Sequence, residues 1–146
     1  MRAGFLRTAA RAGVTAGLLS GTPSTAVCVV RGRDPLEATA AAGAMLLPDE
    51  QRQGVLVAAG IPVHAAISLA WATVLTALLP ARRTLWWGAA AGLAIGALDL
   101  GPLARPFPRI QALPRGPQIA DHIAFGAIVG ACVRGSRPNQ DRSVEP

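Results

Sequence analysis

The sequence predicts an all-α integral membrane protein: a bundle of four short transmembrane helices with one further helix lying at the interface. Three observations carry that expectation. First, residues are 51% hydrophobic and 15% charged, with a mean hydropathy of +0.39, whereas a soluble domain carries roughly 25% charge. Second, Gly54–Leu79 runs for 26 residues without Asp, Glu, Lys or Arg, and about 20 apolar helical residues span a ~30 Å hydrocarbon core. Third, all 14 basic residues are arginines, and they stand singly or in pairs at the edges of apolar runs.

The net charge of +6 raises the question of a nucleic-acid partner. No run of five or more basic residues exists, so the arginines read as membrane flanks, and the partner they fit is the lipid bilayer. The two cysteines, Cys28 and Cys132, lie inside apolar runs, away from any metal-ligand spacing, and read as buried structural thiols. There is no phosphate-binding glycine loop, no nucleophile elbow and no His-Glu-x-x-His helix. No catalytic residue, metal site or cofactor is therefore expected.

The residues 1–133 form one membrane domain in this reading, with spans near 12–30, 54–79, 85–104 and 117–133. The first follows Arg2, Arg7 and Arg11 and carries Gly13, Gly17 and Gly21, a spacing of four that lets helix backbones approach in lipid. The small residues Ser24-Thr25-Ala26 leave open a cleaved secretory signal. The glycine stripe and the lack of a leucine-dense centre favour a retained span, kinked at Pro23. Asp34, Pro35 and Glu37 predict the start of a short interfacial helix over 35–47, with a capping box and with Leu36, Ala40, Ala44 and Leu47 on one face. Pro48 ends it.

Spans two and three are joined by the hairpin 80–84, and Trp86 and Trp87 then fall where an aromatic belt sits. Gly88, Gly92 and Gly96 make a second stripe, Gly126 and Gly130 a third. The proline-bearing connection 105–116 is expected to be irregular, and the polar tail 134–146 disordered. With four spans, the termini and the 80–84 hairpin share one side and hold eight arginines against six on the other. That bias places the chain as a multi-pass protein of the inner (plasma) membrane with both termini in the cytoplasm.

Ionisable residues inside spans are costly and are candidates for function. They are His64, Asp99, Asp121 and His122. Asp99 follows Gly92 by seven residues, close to two helical turns, and so continues the Gly88–Gly92–Gly96 stripe. His122 stands four residues before Gly126 and continues the stripe of the fourth span. Each lies five residues from the same membrane face, at Ala104 and Pro117, or ~8 Å deep. An Asp99–His122 hydrogen bond is the expected result, acting either as a polar clamp between helices or as a proton or ligand site. His64, ten residues into its span, is expected near the pair or as a satisfied buried histidine. Two histidines on different spans could hold a haem, but no second pair supports one. Asp121 reads as an anion in the first turn of its own helix.

The pieces Gly-Leu-Leu-Ser-Gly-Thr-Pro-Ser-Thr (17–25), Asp-Pro-Leu-Glu-Ala-Thr (34–39), Ala-Leu-Asp-Leu-Gly (97–101) and Ala-Asp-His-Ile-Ala-Phe-Gly (120–126) resemble small four-span membrane proteins of high-GC bacteria. The resemblance covers residues 13–133. It implies four spans including the first, and brings no established activity or site.

The function expected is that of a non-enzymatic helix bundle that assembles with itself or with a membrane protein partner. The alternative is a minimal proton- or solute-handling protein using Asp99 and His122. A membrane-embedded enzyme built on the same residues is the weakest of the three.

Overall fold

The computed structural model describes residues 2–136, and no strand forms among them. The helices are α1 (Arg2–Leu19), α2 (Thr22–Val30), α3 (Glu37–Gly43), α4 (Gln53–Leu78), α5 (Thr84–Asp99), α6 (Pro108–Gln111) and α7 (Arg115–Ser136). Two stretches are long and apolar enough to cross a membrane: Ala3–Val30, which joins α1 and α2, and Gln53–Leu78. With 16 residues, α5 is shorter. α7 carries Arg115, Asp121 and His122 among its apolar residues.

Several boundaries differ from the sequence expectation. The first helix begins at Arg2 and not near residue 12, taking in Arg7 and Arg11. It breaks at Ser20–Gly21, and Pro23 sits in the first turn of α2. Proline lacks an N–H, and its ring clashes with the carbonyl of the turn before it, so it starts a helix more readily than it continues one. α5 stops at Asp99 and not at 104, because Gly101-Pro102 cannot carry the ladder on. The connection 105–116 contains the single turn α6. Residues 134–136 of the expected disordered tail are helical, since α7 runs to Ser136; residues 137–146 of that expectation lie outside the described residues.

α3 is the largest correction. It spans Glu37–Gly43 only, and no capping box forms at its start. Asp34 Oδ1 accepts the N–H of Leu36 at 2.8 Å, Asp34 Oδ2 accepts from the Gln53 amide at 2.7 Å, and the Glu37 carboxylate turns to Arg33. Ala40, Ala41 and Gly43 are buried, while Leu36 and Leu47 are exposed. The face that packs is the glycine face. A Cβ on Gly43 would overlap the Leu56 carbonyl, and one on Gly60 would overlap the Thr39 carbonyl. α3 therefore docks on α4 through Thr39 and Gly43, with Leu36 and Leu47 left on the outside.

The rest is a set of antiparallel pairs around α7. α1 packs on α4, with Gly13 against Leu69 and Ala72 and Gly17 against Ser68. α7 touches α1, α2, α4 and α5. Its closest joint is with α5: a Cβ on Gly88 would overlap the Gly126 carbonyl, one on Gly92 the His122 carbonyl, and one on Gly130 the Thr84 carbonyl. Between these pairs lies the core of Ala12, Ala16, Ala72, Leu75, Ile95, Phe125, Val129 and Val133. Small residues let the backbones close in, and the few large ones fill the space that remains. Gly21, expected to belong to the first stripe, meets nothing within 4 Å. It is the residue at which the helix breaks, not a packing residue.

Cys28 and Cys132 are both free thiols. Cys28 lies beside Pro117 and Gln118 at the start of α7, while Cys132 is 14 residues beyond Gln118 on the same helix, a rise of ~21 Å.

Candidate functional site

The four ionisable residues singled out from the sequence do gather around one region, but through three separate contacts. His122 Nε2 stands 3.3 Å from Asp99 Oδ2. His64 Nε2 stands 2.9 Å from the Gly17 carbonyl. Asp121 Oδ1 accepts the backbone N–H of Ser24 at 2.9 Å.

The Asp99–His122 contact follows from the glycine joint. With Gly92 against the His122 carbonyl and the place of a Cβ on Gly96 only 3.1 Å from the His122 Cβ, the imidazole lies against α5 near its end. Asp99 is the last residue of that helix, where a negative charge opposes the helix dipole. The imidazole compensates that placement. The second ring nitrogen, Nδ1, is 2.7 Å from the Gln118 carbonyl one turn earlier on α7.

These two contacts constrain the protons. A carbonyl only accepts, so Nδ1 must carry a hydrogen to bond Gln118. The Nε2···Oδ2 bond then needs one more proton, which lies either on the imidazole or on the carboxyl. The pair thus holds a single proton between two bases, with both side chains about one-fifth exposed, at 22% and 21%.

Asp121 corrects the sequence expectation. It lies six positions into α7, which starts at Arg115, and so it is not in the first turn of its own helix. It instead serves the start of α2. There Gly21 has no side chain with which to cap, and Pro23 has no N–H to offer. The Ser24 N–H is a backbone donor that needs a partner in that turn, and the carboxylate supplies it from another helix. Its charge also sits at the positive end of the α2 dipole. Ser24 is 7% exposed. Sequence reading missed its part, although Gly21-Thr22-Pro23 is itself a helix-start signal.

His64 does not join the Asp99–His122 pair. α4 packs on α1 with Ser68 against Gly17, and His64, one turn earlier, reaches the Gly17 carbonyl. That carbonyl is in the last turn of α1, where the helix ladder gives out. His64 donates to it from Nε2, on an exposed face of α4. The histidine and Asp121 thus hold the two sides of one helix break: His64 the end of α1, Asp121 the start of α2.

A small void lies beside Ser24, the residue whose N–H Asp121 accepts. The void beside Ser24 and Gln118 is about 10 Å³, close to the smallest that holds one water. Among the described residues no three or more His, Cys, Asp or Glu side chains are placed to hold a metal ion, and no buried side-chain nitrogen or oxygen lacks a partner. Family models, curated proteins and solved structures were each compared with the chain, and none matches.

Proposed function

We propose that this chain is a multi-pass membrane protein that crosses the bilayer four times, through α1–α2, α4, α5 and α7, and works as a non-enzymatic helix bundle in assembly with itself or with another membrane protein. The surface supports this reading. Leu18, Val30, Leu78 and Leu98 point outward, and Trp86 and Trp87 are 71% and 56% exposed just after the 80–84 hairpin. Helices that are apolar on their outer as well as their inner faces suit a lipid environment. The 16 residues of α5 rise ~24 Å, and the turns that follow, with Leu100 and Leu103, extend its apolar length.

The single observation that carries the non-enzymatic reading is the mutual satisfaction of the polar groups. Asp121, His64, His122 and Asp99 each bond the protein itself. Groups used in this way hold helices together. The test is twofold. Reporters fused after residue 136, in the 80–84 hairpin and in the 105–115 connection should place the first two in the cytoplasm and the third outside. In detergent, substituting Asp99 or His122 should lower stability. A mature chain beginning near Val27 would remove the first span and refute the topology.

A second reading, proton handling, draws on the one proton shared by Asp99 and His122 beside a discontinuous helix. Discontinuous helices, with their freed backbone groups, are where many membrane transporters bind substrates and coupling ions. Proton flux into liposomes that Asp99→Asn abolishes, with folding intact, would favour it over the assembly reading.

A further inference from the structure

At the end of the bundle where α3, α6 and the 48–53 loop meet lies a cleft of about 400 Å³, within the size range of ligand sites. Its origin is the α3–α4 crossing. Thr39 and Gly43 face α4, which turns Ala41, Ala44 and Met45 the other way, into the cleft. The facing wall is Pro106 and Phe107, next to Arg109. Prolines expose no N–H, so the wall is poor in backbone donors as well as in polar side chains.

Among the described residues, Arg109 is the one charged residue lining this space. Its Nη2 donates to the Glu50 carbonyl at 3.3 Å and to Gln51 Oε1 at 3.2 Å. Both acceptors are neutral. The Glu50 carboxylate itself is held by Arg52 at 2.8 Å, and among the described residues no carboxylate pairs with Arg109. Its guanidinium is therefore oriented by two anchors while its charge stays uncompensated. Nη1 and Nε keep donors for an anion. Arg105 adjoins the same wall, Arg31 follows the end of α2, and Arg115 is the first residue of α7.

We propose that this cleft binds one anionic phospholipid, with an acyl chain along the Ala41–Met45 and Phe107 wall and the phosphate on Arg109. The proposal rests on the membrane reading above, which puts this end of the bundle at headgroup level. A free phosphate would satisfy Arg109 but leave the apolar wall in water. A zwitterionic lipid brings its own cation to the phosphate, so it compensates the local charge less well.

The test uses the full chain purified in mild detergent, with bound lipid counted by native mass spectrometry after exposure to equal amounts of phosphatidylglycerol and phosphatidylcholine. Phosphatidylglycerol should be retained about fivefold over phosphatidylcholine. Arg109→Gln should abolish that preference, while Arg134→Gln at the other end of α7 should leave it unchanged. Gln51→Ala, which removes one anchor of Arg109 from outside the cleft, should weaken the preference and so reads the site even if Arg109→Gln folds poorly. Ala44→Leu should reduce retention of both lipids. Equal retention of the two lipids by the native chain overturns the proposal, as does a preference that survives Arg109→Gln. Displacement by millimolar inorganic phosphate would reassign the cleft to a headgroup alone and equally overturns it. Alkaline carbonate extraction of cell membranes, run in parallel, reads the membrane assignment separately: a chain released with soluble proteins refutes that assignment whatever the lipid count.

Discussion

Asp121 on α7 accepts the backbone N–H of Ser24 on α2 at 2.9 Å, so one helix caps another that cannot cap itself. The next residue, His122, reaches Asp99 at the end of α5. Two consecutive side chains of α7 thus tie it to two different neighbours. That follows from the ~100° turn between successive helical residues, and it makes α7 the organising element of the bundle.

Losing the cap should loosen the second half of the first helix specifically. Asp121→Ala is expected to cost about 0.5–2 kcal/mol, the range of a lost N-cap, and to speed hydrogen exchange at Ser24–Val27. Asp121→Asn keeps an acceptor and should cost less. If both variants exchange like the native chain, the bond contributes nothing to holding α2.

The Asp99–His122 pair should show energetic coupling. Each single change to alanine leaves a partner without its bond, so the double change should destabilise by less than the two singles added together. With α5 and α7 as spans, as proposed, the coupling should be roughly 0.6 kcal/mol, up to about 1.7. His122→Ala alone should be worse than the double change. A double variant worse than the sum of the singles would rule out pairing.

The glycines divide into two groups that a substitution series can separate. At Gly92 and Gly126 an added methyl meets a carbonyl of the facing backbone, of His122 and Gly88 respectively. Backbone cannot step aside as a side chain can, so alanine there should cost about 1–3 kcal/mol and push α5 from α7. Gly21 has open space around it and φ −73°, a conformation open to any residue, so Gly21→Ala should change the melting temperature little. Equal effects at Gly21 and Gly92 would show that the close joint is not what holds α5.

One titration lies in the connection between α3 and α4. The Arg52 side-chain hydrogen bond holds the Glu50 carboxyl at about 2, down from 4.5. A depressed carboxyl stabilises the folded state above its unfolded value, and that stabilisation is lost as pH falls from about 4.5 toward 2. Carbon-detected NMR should place the Glu50 midpoint near 2, and Arg52→Gln should return it toward 4.5. A midpoint unmoved by that change would show that the salt bridge is not populated in solution.

The sequence by itself determined the helical class, two apolar stretches of membrane-crossing length and the glycine spacing of α5 and α7, because these depend on residue type and on a period of 3.6 residues. The same periodicity predicted that Asp99 and His122 would share a joint, since each continues a glycine stripe on its own helix. Tertiary structure alone decided the rest. Asp121 caps α2 because α7 packs beside a helix break 97 residues away, a distance that no local pattern encodes. Gly43 and Gly60 draw α3 onto α4 because backbone approach at a crossing depends on both helices at once. His64 finds the Gly17 carbonyl, and not the Asp99–His122 pair, because the rotation of α4 is set by Ser68 and Ala72 meeting α1. Periodicity states which residues share a face; the packing of whole helices chooses what that face meets.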